Sequence, residues 1–328
     1  CRFMNFGIFL YSTLKTSLNP TAFNSVSEKV YPMGLSGLPD WKNSFDLSKY
    51  INNITQTISS SSKFFDLLSL AGAVNSFPGT AAAFNNPIMM ADGRIFCVPR
   101  SATQAKVYDP KTDTVYNVGA VSSFPGNNAY AGGVLMNDGR VFCIPFTGAT
   151  QARVYDPKTD TVSLVGPANS FPTAHQNGVV LKDGRIFCSP YPAAGSLTSV
   201  ARVYDPRTNT VSSYGTFSTG TGDWNGCALM HDGRVFIVPR SATQGKIFDP
   251  INNTIISAGK AGSFPGTNAY SGGVLMADGR VFCVPLNATQ ARIYDPYSDN
   301  VILAANSGSF TGSSGYATGV LLTDGRIL

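Results

Sequence analysis

Short apolar runs, closed by glycine, proline, asparagine or aspartate, fill residues 64–328, and no repeat shows a helical period. The stretch 130–165 displays the pattern. An apolar run at 130–136 (YAGGVLM) meets the turn Asn137-Asp138-Gly139. A second at 140–144 (RVFCI) stops at Pro145, which has no N–H to offer a strand ladder. A third at 152–155 (ARVY) ends at Asp156-Pro157, and a fourth at 161–165 (TVSLV) ends at Gly166-Pro167. Asp-Gly between two apolar runs predicts a hairpin, because glycine takes the positive φ the turn needs. Four antiparallel strands, A to D, are predicted here.

The same unit recurs. Asp-Gly-Arg appears six times, beginning at Asp92, Asp138, Asp183, Asp232, Asp278 and Asp324, in steps of 46, 45, 49, 46 and 46 residues. A four-strand repeat of this length predicts the blades of an all-β propeller and excludes a helical solenoid. Repeats run at about 72–118, 119–165, 166–214, 215–258, 259–303 and 304–328, so six blades are favoured and seven are possible. The run 64–70 (FFDLLSL) has strand-D character and aligns with 113–118 when Phe77 is set against Phe124. It is expected to complete a last blade and close the ring. Leu328 falls inside strand B of its repeat. The native chain is therefore expected to run on, by about 20 residues for six closed blades or about 65 for seven. Residues 1–63, with Pro20, Pro32, Pro39, Trp41 and a polar run at 59–63, lie outside the repeat. They predict an N-terminal extension that anchors the chain to other subunits of an assembly, ending in a short link.

Composition narrows the function. Charged residues are 13% of the 328, about half the usual share, which suits an assembled or extracellular protein. The net charge of +5 is spread over the repeats, which argues against nucleic acid as a partner. No run of 18 apolar residues predicts a membrane span. Cys97, Cys143, Cys188 and Cys283 occupy one place in four repeats, too far apart for disulfides, and read as buried strand residues. Glu28 is the only glutamate, and His175 and His231 are the only histidines.

The segments around Asp-Gly-Arg and Tyr-Asp-Pro-x-Thr-x-x-Val (at Tyr108, Tyr155 and Tyr204, with Phe248 in the fourth) resemble the kelch repeat and the propeller domain of galactose-oxidase-like proteins. The resemblance covers 64–328. It departs where kelch has Gly-Gly after strand B and this chain has Val-Pro, as at Val98-Pro99, and where the strand-D tryptophan is Val115 or Val162. Repeats this uniform also resemble propeller proteins of phages and large DNA viruses. That likeness implies a structural or attachment role on a virion or similar surface. An ordinary kelch-type interaction scaffold, extracellular or cytoplasmic, is the alternative, and a carbohydrate-active enzyme the third reading.

Catalysis finds little support. A copper site of the galactose-oxidase type needs two histidines together, whereas His175 opens a strand A and His231 precedes an Asp-Gly turn at the opposite end of another. The propeller aspartates sit in turns; Asp223 alone stands free, in a variant segment, and a glycosidase needs a pair. No cofactor, metal or catalytic residue is predicted.

Binding has a better candidate. Eight residues before each Asp-Gly-Arg stand Phe84, Tyr130, His175, Trp224, Tyr270 and Tyr316. They open strand A, the innermost strand of a blade, and the loops at 100–104, 146–151, 191–200, 240–244 and 286–290 leave from the same face. Two readings stand. The rings line the channel and, with Asp223, stack on a glycan or meet a protein receptor; or each ring is a wedge packed between blades. The third repeat inserts 193–198 and the fourth carries Thr221-Gly222-Asp223-Trp224, breaks in the uniformity that mark where a specific contact would show.

Overall fold

The computed structural model describes residues 72–73, 76–77, 82–191, 199–217, 224–304, 306, 308–310, 312 and 315–328. Asp223, the insert at 193–198, the run at 64–70 and the extension 1–63 lie outside the described residues.

Among the described residues the chain forms five four-stranded antiparallel sheets, with strands adjacent in sequence order. Blade 1 comprises β1 (Phe84–Met89), β2 (Ile95–Pro99), β3 (Ala105–Asp109) and β4 (Thr114–Val118). Blade 2 comprises β5 (Tyr130–Leu135), β6 (Val141–Pro145), β7 (Ala152–Asp156) and β8 (Thr161–Val165). Blade 3 comprises β9 (His175–Val180), β10 (Ile186–Pro190), β11 (Ser199–Asp205) and β12 (Thr210–Phe217). Blade 4 comprises β13 (Trp224–Leu229), β14 (Val235–Pro239), β15 (Gly245–Asp249) and β16 (Thr254–Ala258). Blade 5 comprises β17 (Tyr270–Leu275), β18 (Val281–Pro285), β19 (Ala291–Asp295) and β20 (Asn300–Ala304). Against the expected six or seven blades, five sheets are complete. The sixth repeat contributes a hairpin in which Leu321 pairs with Ile327.

Strand B is an apolar run, broken by Ser189 in β10, and in β6, β10 and β14 every residue is buried, as a strand covered on both faces requires. Strand D is the most exposed of the four, with only its last residue buried in β8 and β16. Successive blades touch through their A strands.

The repeated motifs are the chemistry of the turns. In the A–B hairpin, Met136 N–H donates to Arg140 O at 2.8 Å and Gly139 N–H to Met136 O at 3.0 Å. The loop is three residues long, with Gly139 at φ +89°. Asp138 accepts from the Arg140 backbone N–H at 3.1 Å and from its guanidinium at 2.9 and 2.7 Å. The arginine thus pairs with the aspartate of its own turn, and this holds in all six copies.

The Tyr-Asp-Pro segment sets a second turn and ties blades together. Asp156 accepts from Lys158 N–H at 2.9 Å, closing an Asx turn. Four residues on, Asp160 sits in the left-handed region at φ +51°, accepts from Tyr155 OH at 3.2 Å, and takes the N–H of Gly119 from the preceding blade at 2.8 Å. The same staple joins Gly166 to Asn209 and Gly259 to Asp299, at 2.7 and 2.8 Å. Gly72 meets Asp113 likewise at 2.8 Å, so the register extends back to residue 72, and Phe77 aligns with Phe124.

Aromatic seams reinforce the staples. The strand-B phenylalanine of one blade stacks on the strand-C aromatic of the next: Phe96 on Tyr155, Phe142 on Tyr204, Phe187 on Phe248 and Phe236 on Tyr294. Their ring centroids are 4.4–5.1 Å apart. A stacked interface of this kind accounts for why these residue types recur with the repeat.

Candidate binding face

The aromatic position that opens strand A is a wedge. Tyr130, His175, Trp224 and Tyr270 are 1%, 0%, 3% and 1% exposed, so of the two readings of this position their burial favours packing between blades. Each meets edge-on the phenylalanine that enters its blade: Phe124 against Tyr130, Phe171 against His175, Phe217 against Trp224 and Phe264 against Tyr270, at 5.0–5.7 Å. Phe84 on Phe77 and Tyr316 on Phe310 follow the same geometry. Phe84 is half-buried, and Tyr316 is exposed. The hydroxyls of Tyr130 and Tyr270 donate to Gln151 O and Gln290 O at 3.1 and 3.0 Å. His175 Nε2 lies 3.1 Å from Val200 O, and burial lowers the histidine's pKa to about 4. These side chains carry a structural load that a ligand-contacting ring does not. His231 lies beyond the far end of β13, so the two histidines do not converge.

The A strands are nearly closed on one another just below the wedges. Asn86 Nδ2 donates to Ala131 O at 3.1 Å and to Asn177 Oδ1 at 3.2 Å, and Asn177 Nδ2 donates to Asn225 Oδ1 at 3.1 Å. An amide chain therefore links blades 1, 2, 3 and 4 through their A strands. Glycines make the approach possible: a Cβ on Gly132 would stand 2.3 Å from Gln176 O, and one on Gly226 would stand 2.7 Å from Gly272 Cα.

Above that level, the residue following the strand-B proline differs from blade to blade: Arg100, Phe146, Tyr191, Arg240 and Leu286. The backbone places these residues at the blade seams. Arg100 O accepts from Ala129 N–H, and Arg240 O from Ala269 N–H, each from the next blade's entry to strand A, at 2.8 and 2.7 Å. Four of the five side chains form one continuous row. The Arg100 guanidinium lies 5.3 Å from the Phe146 ring centre, Phe146 and Tyr191 are 5.5 Å apart, and Arg240 lies 5.5 Å from the centre of Tyr191. Arg240 Nη1 also donates to Tyr191 OH at 2.5 Å, and Arg100 Nε to Asn128 Oδ1 at 2.9 Å. All four are half-buried.

This row was half legible. The loops that carry it begin at the right residues, but a ladder between blades is a property of spacing in three dimensions. The signal in the sequence was variation: Arg, Phe, Tyr, Arg and Leu occupy one position directly after a proline that every complete repeat keeps.

The described residues hold no group of three histidine, cysteine, aspartate or glutamate side chains placed for a metal ion. The thiols of Cys97, Cys143, Cys188 and Cys283 are buried, and desolvation pushes each upward from its ordinary pKa.

No protein-family model matches this chain, and no curated protein matches it. Its fold is shared with solved propellers. Virginiamycin B lyase from Staphylococcus aureus is 10% identical with a TM-score of 0.58, covering 76% of this chain and 84% of the lyase. A catalytically inactive alanine variant of that lyase, solved with quinupristin, is 9% identical with a TM-score of 0.57, covering 73% and 74%. Hydrazine synthase from Kuenenia stuttgartiensis is 12% identical with a TM-score of 0.56, covering 73% and 78%. At these identities the likeness speaks for the fold alone. With its five four-stranded sheets, the chain is a β-propeller.

Proposed function

We propose that this protein is a non-catalytic recognition propeller, a structural or attachment component of a virion or similar surface assembly. It meets a glycan or a protein through the face that carries Arg100, Phe146, Tyr191 and Arg240. One observation carries the reading. At the position after the strand-B proline, four successive blades bring together a half-buried aromatic pair flanked by two guanidinium groups, the residue types enriched where proteins bind partners. The surface-assembly part rests on the uniform, low-charge repeats and on their kelch-like and phage-like resemblance. An ordinary kelch-type scaffold would use the same face in another setting.

The enzymatic reading gains less. The lyase neighbour is described as inactive in an alanine variant that replaces a histidine. Here His175 is buried and held neutral, and His231 stands at the other end of the strands.

The test is a glycan array and a cell-surface binding assay with the full chain, comparing wild type with Tyr191→Ala, Phe146→Ala and, on the opposite face, His231→Ala. The reading expects loss with the first two and none with the third. Retained binding in Tyr191→Ala with loss in His231→Ala would place recognition elsewhere. Turnover of a bound sugar would make the protein an enzyme.

A further inference from the structure

We infer that the ligand of this face is a saccharide bearing an oxyanion, a carboxylate or a sulfate ester, held between Arg100 and Arg240. The inference rests on the recognition face proposed above and names the chemistry that face would select.

Charge pairing points to it first. Among the described residues, the ion pairs all join an aspartate to an arginine two residues on, at the Asp-Gly-Arg turns and at Asp205 and Arg207. Arg100 and Arg240 are outside this scheme. Each is held by an aromatic ring and one neutral acceptor, Asn128 or the Tyr191 hydroxyl, and among the described residues neither pairs with a carboxylate. The Nε of Arg240 is buried with no hydrogen-bond partner among the described residues, as are those of Arg153, Arg202 and Arg292. A half-buried guanidinium fork that no acid among the described residues satisfies is prepared for an external oxyanion, which it can bind through two parallel hydrogen bonds.

The surroundings favour a sugar as the carrier. The rim beside the two arginines is neutral and rich in amides and hydroxyls, including Asn128, Ser241 and Asn268. Such groups match sugar hydroxyls. Nucleic acid would call for a stripe of cations following a phosphate backbone, whereas these two guanidiniums are separated by an aromatic pair. The aromatic pair keeps the long arginine side chains in place, so less freedom is lost when a ligand arrives.

The experiment measures binding of the full chain to hyaluronate (carboxylate only), heparin (sulfate and carboxylate) and dextran (neutral), at low and high salt. Wild type is compared with Arg100→Gln, Arg240→Gln, Arg240→Lys and Tyr191→Ala, and melting temperatures confirm that each variant is folded. The expected result is binding to an acidic polysaccharide and not to dextran, weakened by salt, and about tenfold or more weaker in each glutamine variant. Arg240→Lys, which keeps charge but loses the fork, should bind more weakly than wild type. Binding to hyaluronate assigns the carboxylate as a sufficient anion; binding to heparin alone assigns the sulfate. Dextran binding lost in Tyr191→Ala but unchanged in the arginine variants overturns this inference and leaves the recognition face standing. No binding to any of the three overturns it as well, and the face is then judged by the Tyr191→Ala comparison on the array.

Discussion

Removing the Phe236 ring should open the seam between blades 4 and 5. Phe236 is fully buried on β14 and stacks on Tyr294 of β19, with centroids 4.4 Å apart and planes 8° from parallel. Its ring also lies over the backbone of Gly245, where an added Cβ would stand 2.7 Å from it, so this neighbour has no side chain to fill the space the ring vacates. Phe236→Ala is therefore expected to cost about 3–5 kcal/mol. Of this, about 0.5–1.5 kcal/mol belongs to the ring pair beyond simple burial. Urea unfolding followed by tryptophan fluorescence would read the first figure as a lower midpoint at unchanged slope. A double-mutant cycle with Tyr294→Leu and Phe236→Leu would read the second as a coupling energy between residues of different blades. A cost below about 1 kcal/mol for Phe236→Ala, or independent effects in the cycle, would refute the claim that stacked strand-B and strand-C aromatics hold the blades together.

Three further outcomes follow from the geometry. His175 is kept neutral by burial, with its pKa lowered from 6.5 to about 4. Between those values the unfolded chain binds a proton that the folded chain refuses. Stability should therefore fall as pH drops from about 6.5 to about 4, by up to roughly 3 kcal/mol. His175→Tyr, which installs the residue found in blades 2 and 5, should flatten this slope, and an unchanged slope would remove the histidine as its cause. Gly226→Ala should destabilise by about 2 kcal/mol or more, because φ is +89° and the new Cβ would stand 2.7 Å from Gly272 Cα. A circular-dichroism melt matching wild type would contradict that packing. Finally, the thiols of Cys97, Cys143, Cys188 and Cys283 should resist a thiol reagent until the protein unfolds, and rapid labelling of the native chain at any of these four positions would show the blade interior to be open.

The blades were legible in the sequence because their determinants are local. A strand-B run such as Val141 to Pro145, an Asp-Gly turn and a Tyr-Asp-Pro turn each declare themselves within a few residues. The hydrogen bonds of Asp138 and Asp156 show the turns carrying out those local instructions. Contacts between blades were less legible. Asp160 looks like one more turn residue until its partner, Gly119 of the preceding blade, is seen. Phe217 precedes Trp224 by a spacing unlike that of Phe171 and His175, yet both pairs form the same edge-on wedge. The periodic aromatic position drew attention as a candidate site for the reason that makes it structural: it recurs because every seam needs it. The row from Arg100 to Arg240 is the converse. Its residue type changes along the row, and its members meet only because the propeller sets equivalent positions of successive blades side by side.

The measurement that bears most directly on this account is array binding by Tyr191→Ala and Tyr270→Phe, side by side with wild type. Tyr191 belongs to the variable row, whereas Tyr270 is a buried wedge whose hydroxyl is bonded to Gln290 O. The account predicts that Tyr191→Ala loses the ligand and Tyr270→Phe retains it. Loss in Tyr270→Phe with full binding in Tyr191→Ala would contradict it, and return the site to the aromatic ring at the start of the A strands.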